Sequence, residues 1–125
     1  MYILTVSVTQ NLIFHGPINS LFKKQFYENY DWEEDVNNLI QITPKKGVIS
    51  ANNSLLPHLS QRENFMLFPK IKDAQYIAID LSEGPNKFAP ISYEESKLLI
   101  DNLIIRQEYK VIWRKNQAIL LEQVE

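Results

Sequence analysis

The sequence predicts one α+β domain: a mainly antiparallel sheet with two to four helices, in which a C-terminal helix is followed by a β-hairpin. Three observations carry this. Apolar and polar residues alternate near both termini, as half-buried strands require. A Ser92-x-x-Glu95 capping box precedes apolar residues at helical spacing, Leu99, Ile100, Leu103 and Ile104. The 125 residues contain no Gly/Ser/Pro-rich linker and no internal repeat, so residues 1–125 read as a single core.

The elements follow in order. Tyr2, Leu4, Val6 and Val8 alternate with Ile3, Thr5, Ser7 and Thr9, which predicts a strand, and His15-Gly16-Pro17 then turns the chain. Ile18, Phe22, Phe26 and Tyr30 recur every four residues and predict a helix capped by Asn19 or Ser20. Asp31 to about Asn37 reads as a short helical turn. Strands are then expected on either side of Pro44–Gly47, joined as a hairpin. Asn52 or Ser54 is placed to cap a short helix with Pro57 in its first turn.

Phe65–Phe68 reads as a strand, and Ala74–Leu81 as a better one, with Ile77, Ile79 and Leu81 on one face and Tyr76, Ala78 and Asp80 on the other. Residues 82–90 form a loop. The capped helix comes next, and two strands joined near Lys115-Asn116 end the chain, with Tyr109, Val111 and Trp113 expected on one face.

Composition removes several classes of function. With 45% hydrophobic and 22% charged residues the chain matches a soluble globular protein. It has no cysteine, which excludes disulfides, thiolate catalysis and cysteine-ligated metals. The two histidines cannot make a three-histidine zinc site within one chain, so neither a metal nor a cofactor is expected. The first ten residues lack the basic region of a signal peptide, and no apolar run approaches the roughly 20 residues of a membrane span. The expectation is a cytoplasmic protein that does not enter membranes. Net charge is -2 and the basic residues are scattered, so the footprint of a nucleic-acid binder is missing from the linear sequence.

With only Gly16, Gly47 and Gly84, no phosphate-cradling glycine motif and no nucleophile elbow can be drawn. His58-Leu59-Ser60 fits half of a two-histidine phosphoesterase pattern, in which an imidazole and a hydroxyl hold phosphate oxygens. His15 would have to supply the second imidazole, yet it lacks the matching hydroxyl. His15, His58 and Ser60 are therefore the candidate residues of an alternative reading, a phosphodiester- or nucleotide-processing enzyme.

The segment Tyr27–Asp35 is more informative, because it sets aromatic rings among five carboxylates with no basic residue between Lys24 and Lys45. Acids in a first helical turn meet the positive end of the macrodipole, and Asp31 suits an N-cap, which accounts for part of the pattern. Crowded like charges nonetheless cost tenths of a kcal/mol. An acidic rim around a tryptophan suits a partner with a basic surface, since charge steers the encounter and the buried ring supplies affinity. The sequence thus points to a small binding protein of inhibitor-like or regulatory type, with Tyr30, Trp32, Glu33, Glu34 and Asp35 as its contact patch. Assembly as a homo-oligomer, through an edge strand of the terminal hairpin, is the third reading.

Overall fold

The structure is a computed structural model that describes residues 2–13, 31–62, 64–82 and 89–124. The chain divides into two units, 1–30 and 31–125. In the first unit, Tyr2–Ile13 is a helix, α1, and not the strand that alternation suggests. Apolar residues occupy both alternating sets in this stretch, so its period-two signal is weak, and Thr9 donates its hydroxyl to the Thr5 carbonyl one turn back (2.5 Å), a bond that helices accommodate. The turn at His15–Pro17 and the helix expected from Asn19 to Tyr30 lie outside the described residues.

The second unit is an α+β arrangement whose described elements are α2 (Asp31–Ile42), β1 (Ile49–Ala51), α3 (Leu56–Leu59), β2 (Phe65–Leu67), β3 (Tyr76–Asp80), α4 (Tyr93–Ile105), β4 (Tyr109–Lys115) and β5 (Ala118–Gln123). The five strands form one mixed sheet in the order β2-β1-β3-β5-β4. β1 pairs in parallel with β2 and β3, while β5 pairs antiparallel with β3 and β4, and the antiparallel registers are the longer ones.

Both faces of the sheet are covered. Ile77, Ile79, Leu81, Ile119 and Leu121 pack with Ile100 and Leu103 of α4 on one face. Ile49, Ala51, Ala78, Ala118 and Leu120 pack with Leu39 of α2 and with Leu55 and Leu59 around α3 on the other. The face assignment expected for β3 holds, and the alternation of its side chains serves two cores.

Three local expectations change. Residues 38–42 continue α2 instead of opening a hairpin, because Val36, Leu39, Ile40 and Thr43 extend one helical stripe and Leu39 is fully buried by it. Asp31 is itself helical, and so is not the cap before the helix. With no strand ahead of it, β1 turns to β2 and β3 for partners. Gly47 makes the approach to β1 at φ 98°, where a Cβ would also run into the Gln75 side chain. Pro57 does fall in the first turn of α3, but no side chain caps that helix; Asn52 uses its amide on the Asp80 backbone instead, donating to the carbonyl at 2.9 Å.

Finally, a bulge between Val111 and Trp113 breaks the alternation of β4. Tyr109 joins the α4-side core and Trp113 packs against the opposite one, so they do not share a face.

α4 is bounded as its sequence dictates. Ser92 Oγ accepts from the Glu95 amide (3.2 Å) and the Glu95 carboxylate accepts from the Ser92 amide (2.9 Å). These bonds hold the Glu95 carboxyl below its usual range, the backbone bond first. At the other end, the Glu108 amide reaches the Leu103 carbonyl and the Gln107 amide that of Ile104, a Schellman closure with Gln107 at φ 58° where glycine is usual. Two substitutions test these ends by urea denaturation. Ser92→Ala should destabilise by about 1 kcal/mol. Gln107→Gly should stabilise by about 0.5 to 1 kcal/mol, as relief of the left-handed backbone outweighs the added chain entropy.

Candidate functional site

The described part of the acidic-aromatic segment, Asp31–Asp35, lies in α2, and the helix sorts its residues by face. Positions 32, 35, 36 and 39 form the stripe turned toward the sheet, which buries Leu39 fully and leaves Asp35 only 3% exposed. Trp32 lies one turn beyond Asp35 in that stripe and is 40% exposed, Glu33 is half-buried, and Glu34 is exposed. Tyr30, the remaining member of the expected patch, lies outside the described residues.

A buried carboxylate needs partners, and Asp35 draws them from the terminal hairpin 80 residues away. Lys115 Nζ lies 2.8 Å from Asp35 Oδ1, and Asn116 Nδ2 donates to Asp35 Oδ2 at 2.5 Å. Asn116 tips the hairpin at φ 50°, a left-handed conformation that asparagine tolerates better than most residues. The same lysine lies 3.6 Å from Glu34 Oε1, whose side chain is 76% exposed. The acids are thus not uncompensated as the linear sequence implies: one lysine meets two of them, and Asp35 is committed to the fold. The Lys115 hydrogen bond, then that of Asn116, hold the Asp35 carboxyl below its ordinary range against the opposing effect of burial. Asp35 in turn raises the Lys115 ammonium.

The same end of the sheet carries a second polar group that sequence inspection passed over. Asp80 ends β3, pairs with Ala118 beside the hairpin tip, and is 5% exposed. Its Oδ1 accepts from the Ser82 amide (2.9 Å) and hydroxyl (2.6 Å), while the Asn52 side chain bridges from the end of β1. β1 and β3 are adjacent parallel strands, and the carboxyl ends of such strands are where open α/β sheets place ligands. The only sequence signal was a carboxylate closing an otherwise apolar strand. Its bonds are those of a turn that ends the strand, and no group of three metal-ligating side chains exists among the described residues.

Of the alternative catalytic residues, His58 and Ser60 lie in and beside α3. His58 is exposed on α3, Ser60 donates its hydroxyl to the Pro57 carbonyl of its own turn (2.9 Å), and His15 lies outside the described residues. No helix among the described residues is long and apolar enough to cross a membrane. No protein-family model matches the chain, and no curated protein or solved structure is significantly similar to it.

The ion pair makes stability depend on pH in two windows. Asp35 has a lowered folded-state pKa, so its contribution is complete above the ordinary carboxylate value of about 3.9 and disappears as pH falls through the folded value. Lys115 has a raised one, so its contribution is complete below about 10.4 and disappears as pH rises through the folded value. In urea titrations Asp35→Asn should be less stable than the native chain at pH 7, and the gap should close as pH falls below the carboxylate range. A gap that stays constant down to pH 2 would show that the charge of Asp35 contributes nothing.

Proposed function

We propose that this chain is a binding protein of inhibitor-like or regulatory type that engages a basic surface of a protein partner through Trp32, Glu33 and Glu34. The observation that carries the reading is that Trp32 is 40% exposed and Glu34 exposed, on a helical turn held in place by Asp35. Tyr30 precedes this turn in sequence and belongs to the same proposed patch.

The physical argument concerns preorganisation. A tryptophan contributes most to an interface when a partner removes its remaining exposed surface from water, and such residues commonly account for 2 kcal/mol or more of binding. That contribution is largest when the ring is already fixed, because no rotamer or backbone freedom is then lost on association. Asp35 fixes the backbone that carries Trp32: its two bonds to the hairpin tie this part of α2 to the sheet. Glu34 shares Lys115 with Asp35 at the longer distance and keeps most of its surface in water, where it can steer a cationic partner.

Self-association through β4 is supported by less. β4 is an edge strand of seven residues with Val111 and Ile112 both more than 40% exposed, but its bulge interrupts the hydrogen-bonding ladder and Lys110, Arg114 and Lys115 lie along it. These are the features by which proteins discourage edge-to-edge pairing.

The test is a pull-down from extract of the source cell, followed by kinetic measurement with the protein recovered. Trp32→Ala combined with Glu34→Lys should abolish capture while the melting temperature stays within a few degrees of native. Raising salt should slow association and leave dissociation nearly unchanged. Unchanged capture by the double variant, with a large loss of stability, would assign Trp32 to the fold alone.

A further inference from the structure

At the opposite end of α2, the structure has a groove of about 430 Å³ between the end of the helix and α3. Its polar lining is Gln41, Thr43, Lys45, His58, Gln61 and Arg62, and its apolar lining is Ile40 and Leu59. A lysine, an arginine and an imidazole thus share one concavity, and no acid is among its described lining residues, in a chain whose net charge is -2.

Arg62 is the built part of this groove. Its guanidinium donates to the carbonyls of Pro44 and, at 3.0 Å, Thr43, closing the end of α2, while Thr43 turns its hydroxyl onto the Leu39 carbonyl at 2.5 Å. These bonds use two of the five N–H donors that a guanidinium presents. Arg62 is half-buried, burial pushes its pKa down, and no carboxylate lies within 4 Å of it among the described residues. A partly desolvated cation with spare donors and no carboxylate partner among the described residues is stabilised by an anion that reaches it, more strongly than a fully hydrated one would be.

We propose that this groove binds a soluble phosphomonoester. A phosphate dianion has the acceptors to occupy the spare Arg62 donors together with Lys45 and His58. The groove is larger than inorganic phosphate alone requires, and Ile40 and Leu59 give it an apolar wall for an organic substituent. The glutamine amides at its margin offer both donors and acceptors to that substituent. Ser60 is not among the lining residues, and its hydroxyl donates to the Pro57 carbonyl of its own turn, so the proposal is one of binding. The inference is independent of the surface at Trp32, which lies at the other end of the helix.

The experiment is an NMR titration of the full chain, isotopically labelled, with phenyl phosphate, inorganic phosphate and sodium chloride at matched ionic strength. Phenyl phosphate is expected to give saturable shifts at Gln41, Lys45, His58 and Gln61, with an affinity at least tenfold above that for inorganic phosphate. Lys45→Ala combined with His58→Gln removes exposed groups only, so its melting temperature should match the native one while affinity falls at least tenfold. Lys45→Glu, a second exposed change, should weaken binding further. Shifts that chloride reproduces, or an affinity unchanged in both variants, would overturn the proposal. Co-sedimentation with phosphatidate-containing vesicles in the absence of phenyl phosphate binding would also overturn it, by assigning the groove to a lipid headgroup.

Discussion

Burial of both faces of β3 and β5 is the constraint on which the second unit rests. Ile77, Ile79 and Leu121 belong to one core, Ala78 and Leu120 to the other, and the sheet between them is one strand thick. A shift of register by a single residue would exchange the two sets. The faces are also unequal: alanines at 51, 78 and 118 recur on the side covered by α2 and α3, and isoleucines and leucines dominate the side covered by α4. Small side chains let a helix approach the backbone closely, whereas bulky ones need the broad apolar face that Ile100 and Leu103 provide.

The β4 bulge couples this packing to the surface. One extra residue near Ile112 lets a single edge strand contribute Tyr109 to one core and Trp113 to the other. Tyr109 secures its end by donating its hydroxyl to the Ala74 carbonyl at 2.6 Å. Beyond the bulge the strand runs into the hairpin tip that delivers Lys115 and Asn116 to Asp35. The conformation of the Trp32 surface is therefore set by residues at the far end of the chain, and packing, bulge and ion pair act in series.

α2 is polarised along its length in a way that suits its dipole. Glu33, Glu34 and Asp35 lie toward its N-terminal, positive end, and Arg62 with Lys45 gathers at its carbonyl end. Each set also exceeds what a helix terminus needs. At the start, Glu34 keeps most of its surface in water after Lys115 has met Asp35; at the end, Arg62 retains donors after meeting two carbonyls. Two surfaces of opposite character consequently lie at the two ends of one helix.

Local rules were enough wherever a signal was strong and self-contained. The Ser92–Glu95 box, the helix it starts, the two-faced strand at 76–80 and the terminal hairpin all stand in the structure where spacing and capping placed them. The aromatic-acidic run was legible as the start of a helix, but its division into a buried Asp35 and an exposed Glu34 was not. That division depends on which side of α2 meets the sheet and on a lysine 80 positions away, and neither has a local signature. The same holds for the helix at 2–13, the continuation of α2 through residue 42 and the parallel pairing of β1, where short apolar runs fit both periods. The sequence by itself determined the fold class, the Ser92 cap of α4 and the faces of the central strand, because these follow from nearest-neighbour chemistry. Only the tertiary structure decided the strand order, the bulge that turns Trp113 to the other core, and the partners of Asp35 and Arg62, because each depends on burial created by distant parts of the chain.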